Sequence, residues 1–387
     1  MKRARVLILW NQVDDDVVDL WRRDNRRTPD WDPTKIVEPW DTVAEEIALI
    51  SKSIEDAGHE VTALNIEDRF DTLLTALERE RPDAVMNLVE WFHDDLEHET
   101  HVPAVFELLG ISYTGNRPLA LSLCQKKPHA KALLAAAGLP VPRGVVVEHG
   151  SMPSDAELGL RYPLIVKPAF DDASGGIDAG SVVRTRAELE ARVAMVVGDS
   201  PTAGMPALVE EFIEGREVHC ALLGNNPPTT LPLYEMQFKQ DKVDNEGRPL
   251  PGIITYRAKW DPYSRDYYAM ESKCPVDDLS PALVQHIQSI AARAYKALGC
   301  RDYARVDMRL APKTNEPFIL EVNPNPDLAD GCAFAQCVRA SGRTYAQAIQ
   351  EIVGFALDRS VAQPKREPAP SETLLREYLA QRGRSAR

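Results

Sequence analysis

Two short acidic segments near the C-terminal end constrain this chain of 387 residues more than any other feature. In YARVDMRL, Arg305 and Asp307 flank Val306, and in PFILEVN, Glu321 and Asn323 flank Val322, with the turn APKTNE between the two segments. Side chains two residues apart share one face of a β-strand. Paired as a hairpin, the segments therefore bring two carboxylates and an amide oxygen to one place. Hard oxygens of this kind, completed by phosphate oxygens of a substrate, suit Mg²⁺, which gives up water reluctantly. A solvated hairpin face shows the same alternation, so the reading depends on what accompanies it.

Three features accompany it. Lys167 closes the apolar run PLIVKPA, and Lys127 opens an Ala-rich helical segment, KPHAKALLAAAG. A lysine at the edge of a buried sheet needs an anionic partner, because an unpaired buried ammonium is costly. The segment DDASGGIDAG, with Ser174 at its centre, supplies small residues and consecutive backbone N–H groups suited to a phosphate. VEEFIEGREV places Glu210 and Glu217 on either side of a short connector. Taken singly, these are a surface lysine, a plain turn and an amphipathic strand pair.

The formal net charge of −14 opposes binding to nucleic acid or to an anionic membrane surface. Any phosphate must then be held by a local gathering of cations and amides. No apolar run reaches the length of a membrane span, and the basic start followed by RVLILW reads as a first buried strand rather than a signal peptide. Six scattered cysteines without CxxC or Cys/His spacing read as mostly buried thiols of a reducing cytoplasm.

Periodicity predicts strands at 5–10, 61–66 and 83–88, alternating with helices at 42–57 and near 70–80, which is an open parallel α/β sheet. A further helix at 102–110 ends at Gly110, and ISYTG enters another strand and turn. Composition shifts near 117. We divide the chain into an N-terminal α/β domain (1–116), a small lobe (117–212), a large lobe (213–358) and a charged tail (359–387). The polar–aromatic stretch 239–272 is too long for an ordinary connection and reads as a lid or as a misread element.

In this order, the strings KKPHAKALLAAAGLPVP, LIVKPAFDDASGGI, LVEEFIEGRE, TYRAKW and YARVDM…ILEVNPNP, with FELLGISYTGNRPLALSL before them, resemble the ATP-grasp superfamily. The resemblance is to its D-alanine–D-alanine ligase branch and runs from about residue 83 to 357. It implies an ATP-grasp fold (α/β, with an open parallel α/β domain preceding it) and a ligase that activates a carboxylate as an acyl phosphate and joins it to an amine. It implies ATP with Mg²⁺ or Mn²⁺, small-molecule carboxylate and amine substrates, and a cytoplasmic enzyme. Homodimers are common in the family. Carried over residue by residue, the resemblance makes Lys127 and Lys167 the lysines on the ATP phosphates. Ser174 belongs to the turn that covers them. Glu210, with the backbone of Glu211 and Ile213, holds the adenine edge, and Glu217 takes the ribose hydroxyls. Lys259 is a lid lysine reaching the γ-phosphate. Asp307, Glu321 and Asn323 hold the metal, and Arg305 stabilises charge on the transferred phosphoryl group.

The pattern departs from the family on the amino-acid side. The N-terminal Gly-rich turn and its Ser-x-Glu are missing, leaving Asp14, Asp15 or Asp16 as candidates for gripping an ammonium group. After EVN, Asp327 stands in place of a glycine and Cys332 in place of the serine that holds an acceptor carboxylate. Asp171, Asp172 and Asp330 add further negative charge. These changes predict substrates other than two D-alanines. A divergent D-alanine–D-alanine ligase and a nucleotide-binding scaffold without activity stay as alternatives. His98 and His101, three residues apart, read as helix-entry residues rather than a metal pair.

Overall fold

The computed structural model describes residues 3–14, 18–20, 27–37, 40–93, 95–171, 174–198, 205–239, 242–245 and 247–362. Asp15, Asp16, Asp172 and most of the expected tail lie outside them.

The first sheet is parallel, in the order β2-β1-β3, from β1 (Arg5–Trp10), β2 (Glu60–Asn65) and β3 (Ala84–Leu88). A central parallel strand is covered on both faces and so reads as a continuous apolar run. Accordingly, Val6 and Ile8 enter one core cluster and Leu7 and Leu9 another. The crossover helices are α1 (Val43–Glu55) and α2 (Phe70–Glu80). Thr42 and Glu45 form a reciprocal capping box at the start of α1, and Gly58, at φ +87°, turns the chain after it. Residues 111–115 add no strand. They make a single parallel bridge, Val85 to Tyr113, where a further strand was expected.

After α3 (His101–Leu109), α4 (Pro118–Gln125) and α5 (Lys127–Ala136) comes an antiparallel sheet in the order β4-β7-β5-β6. Its strands are Gly144–Val147, Leu164–Pro168, Val182–Val183 and Ala207–Glu211, and α6 (Arg186–Gly198) packs on it through Leu189, Val193, Val196 and Val197. A third sheet runs β11-β10-β8-β12-β13 with β9 beside β8. It comprises β8 (Arg216–Leu223), β9 (Thr229–Thr230), β10 (Tyr234–Phe238), β11 (Met270–Lys273), β12 (Tyr303–Leu310) and β13 (Pro317–Asn323).

One face of this third sheet is apolar. Val218, Cys220, Val306, Met308, Ile319 and Val322 pack there against Ile287, Ile290, Ala291 and Ala294. The last four come from α8 (Pro281–Ala297), which follows α7 (Tyr256–Trp260). Alternation then places the charged residues of the same strands on the opposite face.

Two expected boundaries move. Residues 270–273 are sheet rather than lid, because β11 pairs antiparallel with β10, and the preceding stretch holds α7 with a side-chain cap from Thr255. The last helix, α10 (Tyr345–Ala362), follows α9 (Ala333–Ala340) and continues past residue 358. Arg359, expected in the tail, makes a bidentate ion pair 2.7 Å from the fully buried Asp302 and donates to the Tyr113 carbonyl. Among the described residues, no helix is long and apolar enough to cross a membrane.

Candidate active site

The register of the third sheet assembles its charged face. Asp307 lies opposite His219 on one side and Glu321 on the other, Arg309 opposite Glu217, and Arg305 opposite Asn323. Directly opposed residues point to the same side of a sheet, so these side chains form one patch. A bulge between Asp307 and Met308 lets the consecutive residues Leu320 and Glu321 both line the cleft, which a regular strand forbids.

Nearly all the residues singled out in the sequence meet in that cleft, of ≈ 130 Å³: Lys167, Ser174, Glu210, Glu211, Ile213, Glu217, Lys259, Arg305, Asp307, Glu321 and Asn323. Lys127 lines an adjoining chamber of ≈ 540 Å³, between the N-terminal sheet and the segment after β13. Lys259, Glu321 and Asn323 line both spaces, so the two communicate at these side chains.

Several of the cleft's cations and carboxylates are paired. Arg305 holds Asp307 through two bonds of 2.7 Å. Arg309 grips Glu217 at 2.8 and 3.0 Å, and also donates to the carbonyls of Ile213 and Gly252. Lys167 lies 2.8 Å from Glu210, and Lys131 pairs with the other oxygen of that carboxylate. Burial opposes ionisation of Glu210, Glu217 and Asp307, but the facing cations outweigh it and hold all three below the usual carboxylate range. The two lysines on Glu210 diverge. Burial, reinforced by the repulsion of Lys167, pushes Lys131 down to about 8. Burial works against Lys167 too, but Glu210, Glu321 and Glu217 overcome it and leave that ammonium raised.

Local backbone explains several placements. A Cβ on Gly144 would come within 2.8 Å of the Glu210 side chain, so glycine opposite Glu210 leaves room for the carboxylate to lie across the strand. Ser174 sits at φ +64°, a conformation non-glycine residues adopt at some cost, and one retained mainly where surroundings impose it. Lys127 donates to the Asp171 carbonyl at the start of this loop. The carboxylate of Glu211 turns away from the cleft to Arg161 and Arg143. Lys259, on α7, lies 4.7 Å from the Trp260 ring. The amide of Tyr256 donates to the Ile177 carbonyl, tying α7 to the Ser-Gly loop.

Sequence reasoning missed Lys131, His219 and Arg309. Each repeats the period of a residue it did find: Lys131 is one helical turn from Lys127, and His219 and Arg309 are two residues from Glu217 and Asp307. His219 is buried, 3.3 Å from Glu217 and 3.8 Å from Asp307, and its Nδ1 has no hydrogen-bond partner.

On the amino-acid side, Asp327 lines the chamber, where Glu46, Glu90 and Glu99 also appear together with Trp10, Trp91 and Trp260. Cys332 is not part of that wall: its thiol donates to Asp327 at 2.8 Å, and burial, with that carboxylate, raises its pKa. Asp330 is ion-paired with Arg339, so its charge is largely offset, contrary to the expected contribution to the chamber. Asp14 is exposed and does not line the chamber. His98 and His101 stand at the entry to α3 with ring centroids 5.3 Å apart, and no group of three or more His, Cys, Asp or Glu placed to hold a metal occurs among the described residues. All six cysteines are free thiols, three of them buried.

Residues 133–354 match the family model described as "D-ala D-ala ligase C-terminus". An uncharacterised protein, y4sG, of Sinorhizobium fredii is 32% identical over 331 residues, 82% of this chain and 89% of the relative. A D-alanine–D-alanine ligase of Desulforudis audaxviator is 34% identical over 319 residues, 80% of this chain and 92% of the relative. The crystal structure of the Bacillus anthracis D-alanine–D-alanine ligase complexed with ATP superposes with a TM-score of 0.65 at 19% identity, covering 94% of this chain and 100% of that one. With this fold and these relatives, the chain belongs to the D-alanine–D-alanine ligase family of ATP-grasp enzymes and is an ATP-dependent ligase forming C–N bonds.

Proposed function

We propose that the enzyme activates a carboxylate as an acyl phosphate and joins it to an amine, and that its substrates are other than two D-alanines. A carboxylate is a poor electrophile, and phosphorylation gives it a leaving group. The protein's tasks are then to neutralise phosphate charge, align two reactants and exclude water from the mixed anhydride. In this reading Lys127 and Lys167 hold phosphate oxygens and the Ser174 loop covers them. Glu210 and the backbone at Glu211 and Ile213 bind the adenine edge, and Glu217 the ribose. Lys259 reaches the γ-phosphate, and Arg305 takes up charge developing on the transferred group. The division into an N-terminal domain to residue 116, a small lobe to 212 and a large lobe beyond it belongs to the same proposal.

Asp307, Glu321 and Asn323 fit a divalent cation: their donors are hard oxygens on one sheet face, and two of them stand directly opposite each other. Mg²⁺ or Mn²⁺ held there polarises phosphoryl oxygens. Arg305, bidentate on Asp307, stands beside the proposed metal site, where its guanidinium would face a bound phosphate.

The observation that carries the substrate reading is the chamber wall. Asp327, with four glutamates (Glu46, Glu90, Glu99 and Glu321) against two lysines (Lys127 and Lys259), and with three tryptophans, gives the chamber an excess of negative charge and aromatic faces. Such a wall favours an ammonium-bearing acceptor over a free carboxylate. The alternative is D-alanyl-D-alanine synthesis itself, favoured by the 34% identity to the Desulforudis audaxviator enzyme. Screening ADP release against amino acids and amines, with mass spectrometry of the products, separates the two. D-Alanyl-D-alanine formed as fast as the best other product sinks the proposal.

A further inference from the structure

Thirty-two residues separate β1 from α1, and beyond the candidates Asp14, Asp15 and Asp16 neither periodicity nor family resemblance gave them a role. Connections of that length are uncommon unless they do something. Within this stretch, residues 27–37 close a small loop of their own: the Val37 amide donates to the Arg27 carbonyl at 2.9 Å, and Asp32 accepts from the Thr34 amide and hydroxyl. One edge of the loop lies on the segment that follows α7. The Trp31 indole N–H donates to the Tyr263 carbonyl at 2.7 Å. The Trp31 ring meets Tyr268 edge-on at 5.5 Å, and Trp40 lies 6.1 Å from Tyr267. Lys35 stands over the Tyr268 ring, and Arg265 over Trp31, so a cation reaches across in each direction.

The gripped segment is stiff. Thr255 caps α7 and donates to Asp266 at 2.7 Å, and the Ser264 hydroxyl bonds the carbonyls of Arg257 and Asp261. Residues 255–266 are thereby closed on themselves, and a hold at Tyr263 and Tyr268 is also a hold on Lys259. The strap is rooted at both ends beside the chamber. Trp10, Asn11 and Gln12 line the chamber before it, and Val43 and Glu46 after it.

We infer that Trp31 is a positioning residue for the reaction: the strap of residues 27–37, with Trp40, clamps the lid from the N-terminal side and fixes Lys259 over the nucleotide. The inference rests on the reading of Lys259 as the γ-phosphate lysine, and its test separates the two. The full chain is titrated, in Mg²⁺, with ADP and with the non-hydrolysable triphosphate AMP-PNP, and trypsin cleavage at Arg257, Lys259 and Arg265 is followed by mass spectrometry. Lys259→Ala should lower AMP-PNP affinity about tenfold and leave ADP binding unchanged. Trp31→Ala should narrow the same preference while raising cleavage about tenfold. Trp31→Phe, which keeps a ring but loses the N–H, should recover most of both. Tyr268→Ala attacks the clamp from the lid side and should reproduce Trp31→Ala without altering the strap. If Lys259→Ala narrows the preference while Trp31→Ala and Tyr268→Ala leave preference and cleavage at wild-type values, the clamp is overturned. If Lys259→Ala leaves the preference unchanged, the γ-phosphate reading falls, and the cleavage rates alone then decide for or against the clamp.

Discussion

The charged face of the third sheet and the loop that leaves it at Asn323 are neighbours, yet their side chains are positioned in different ways. On the sheet, each partner is dictated by register: Asp307 faces Glu321 because the ladder places it there, and Arg309 faces Glu217 for the same reason. In the loop, no ladder sets the partners. Asp327 caps the amide of Ala329 and accepts the Cys332 thiol, while Asn325 bonds its own neighbour Asn323 and reaches across to Glu99. A register cannot change one residue at a time without turning the strand over. Loop contacts can be exchanged one by one on an intact scaffold. The charges of the proposed metal site therefore sit on strands, whereas Asp327 and Cys332, two of the positions at which this chain departs from the family pattern, sit on the loop.

If that contrast is right, the largest effects belong to the sheet. Glu321→Gln keeps the shape of the side chain but removes a charge from the proposed metal site. We expect turnover to fall by roughly 10²–10³-fold with an unchanged circular dichroism spectrum, since a metal contributes several kcal/mol of charge stabilisation. Normal turnover at ordinary Mg²⁺ would falsify the assignment. Lys167→Ala comes next. Loss of a charge-assisted contact of about 1.5–3 kcal/mol should weaken ATP binding by roughly 10- to 150-fold. Equal ATP affinity in calorimetry would place Lys167 among the structural lysines, as a partner of Glu210 only.

Lys131 gives a third test through pH. An ordinary lysine titrates near 10.5, and burial brings this one to about 8. Below pH 8 the folded state carries the full cost of a buried ammonium. Between about 8 and 10.5 the unfolded chain binds more protons than the folded one, so this group's contribution to stability rises with pH. The stability difference between wild type and Lys131→Met should therefore move toward wild type by about 2 kcal/mol between pH 7 and 9.5, at 1.36 kcal/mol per unit. A flat difference across that range would mean that Glu210 keeps Lys131 charged as firmly as Lys167.

The same contrast governs what the sequence made legible. The hairpin at 303–323 was readable because period and spacing carry its geometry, whereas Lys127 and Lys167 took a role only from the family resemblance. Arg309 was not readable, although it lies on the same face, because β12 shows which side it faces but not that Glu217 of β8 stands opposite. Lys131 was hidden by its helix, where a second lysine one turn on is as often solvated as buried. The strap was invisible for another reason. Its partners, Tyr263 and Tyr268, are more than two hundred residues away, and aromatic contacts of that kind leave no local period. The lid's end was misplaced because β11 is short and largely polar, MESK, and so lacks the apolar alternation of the other strands.

The smallest expected effect is on the loop, and it bears on substrate choice. Asp327 carries its charge on the chamber wall, and Cys332 gives its thiol to that carboxylate rather than to a ligand. A thiol is a weak donor and a hydroxyl a good one. Changing Asp327→Gly together with Cys332→Ser removes a charge that repels a carboxylate and frees a donor at the start of α9. The double variant should use acceptors with a free carboxylate, D-alanine among them, a few-fold better than wild type. Its use of the best cationic amine should fall by a similar factor, because the discrimination lies in one partly solvated charge at a modest effective dielectric. The Mg²⁺-dependent affinity for ATP should not move, since neither residue lines the nucleotide cleft. Two results would break the contrast between sheet and loop. A large loss of ATP affinity in the double variant would show that the loop supports the nucleotide site, and an unchanged acceptor profile would show that Asp327 does not read the substrate. A shift in acceptor preference at constant ATP affinity would confine substrate choice to the loop, with catalysis left on the strands.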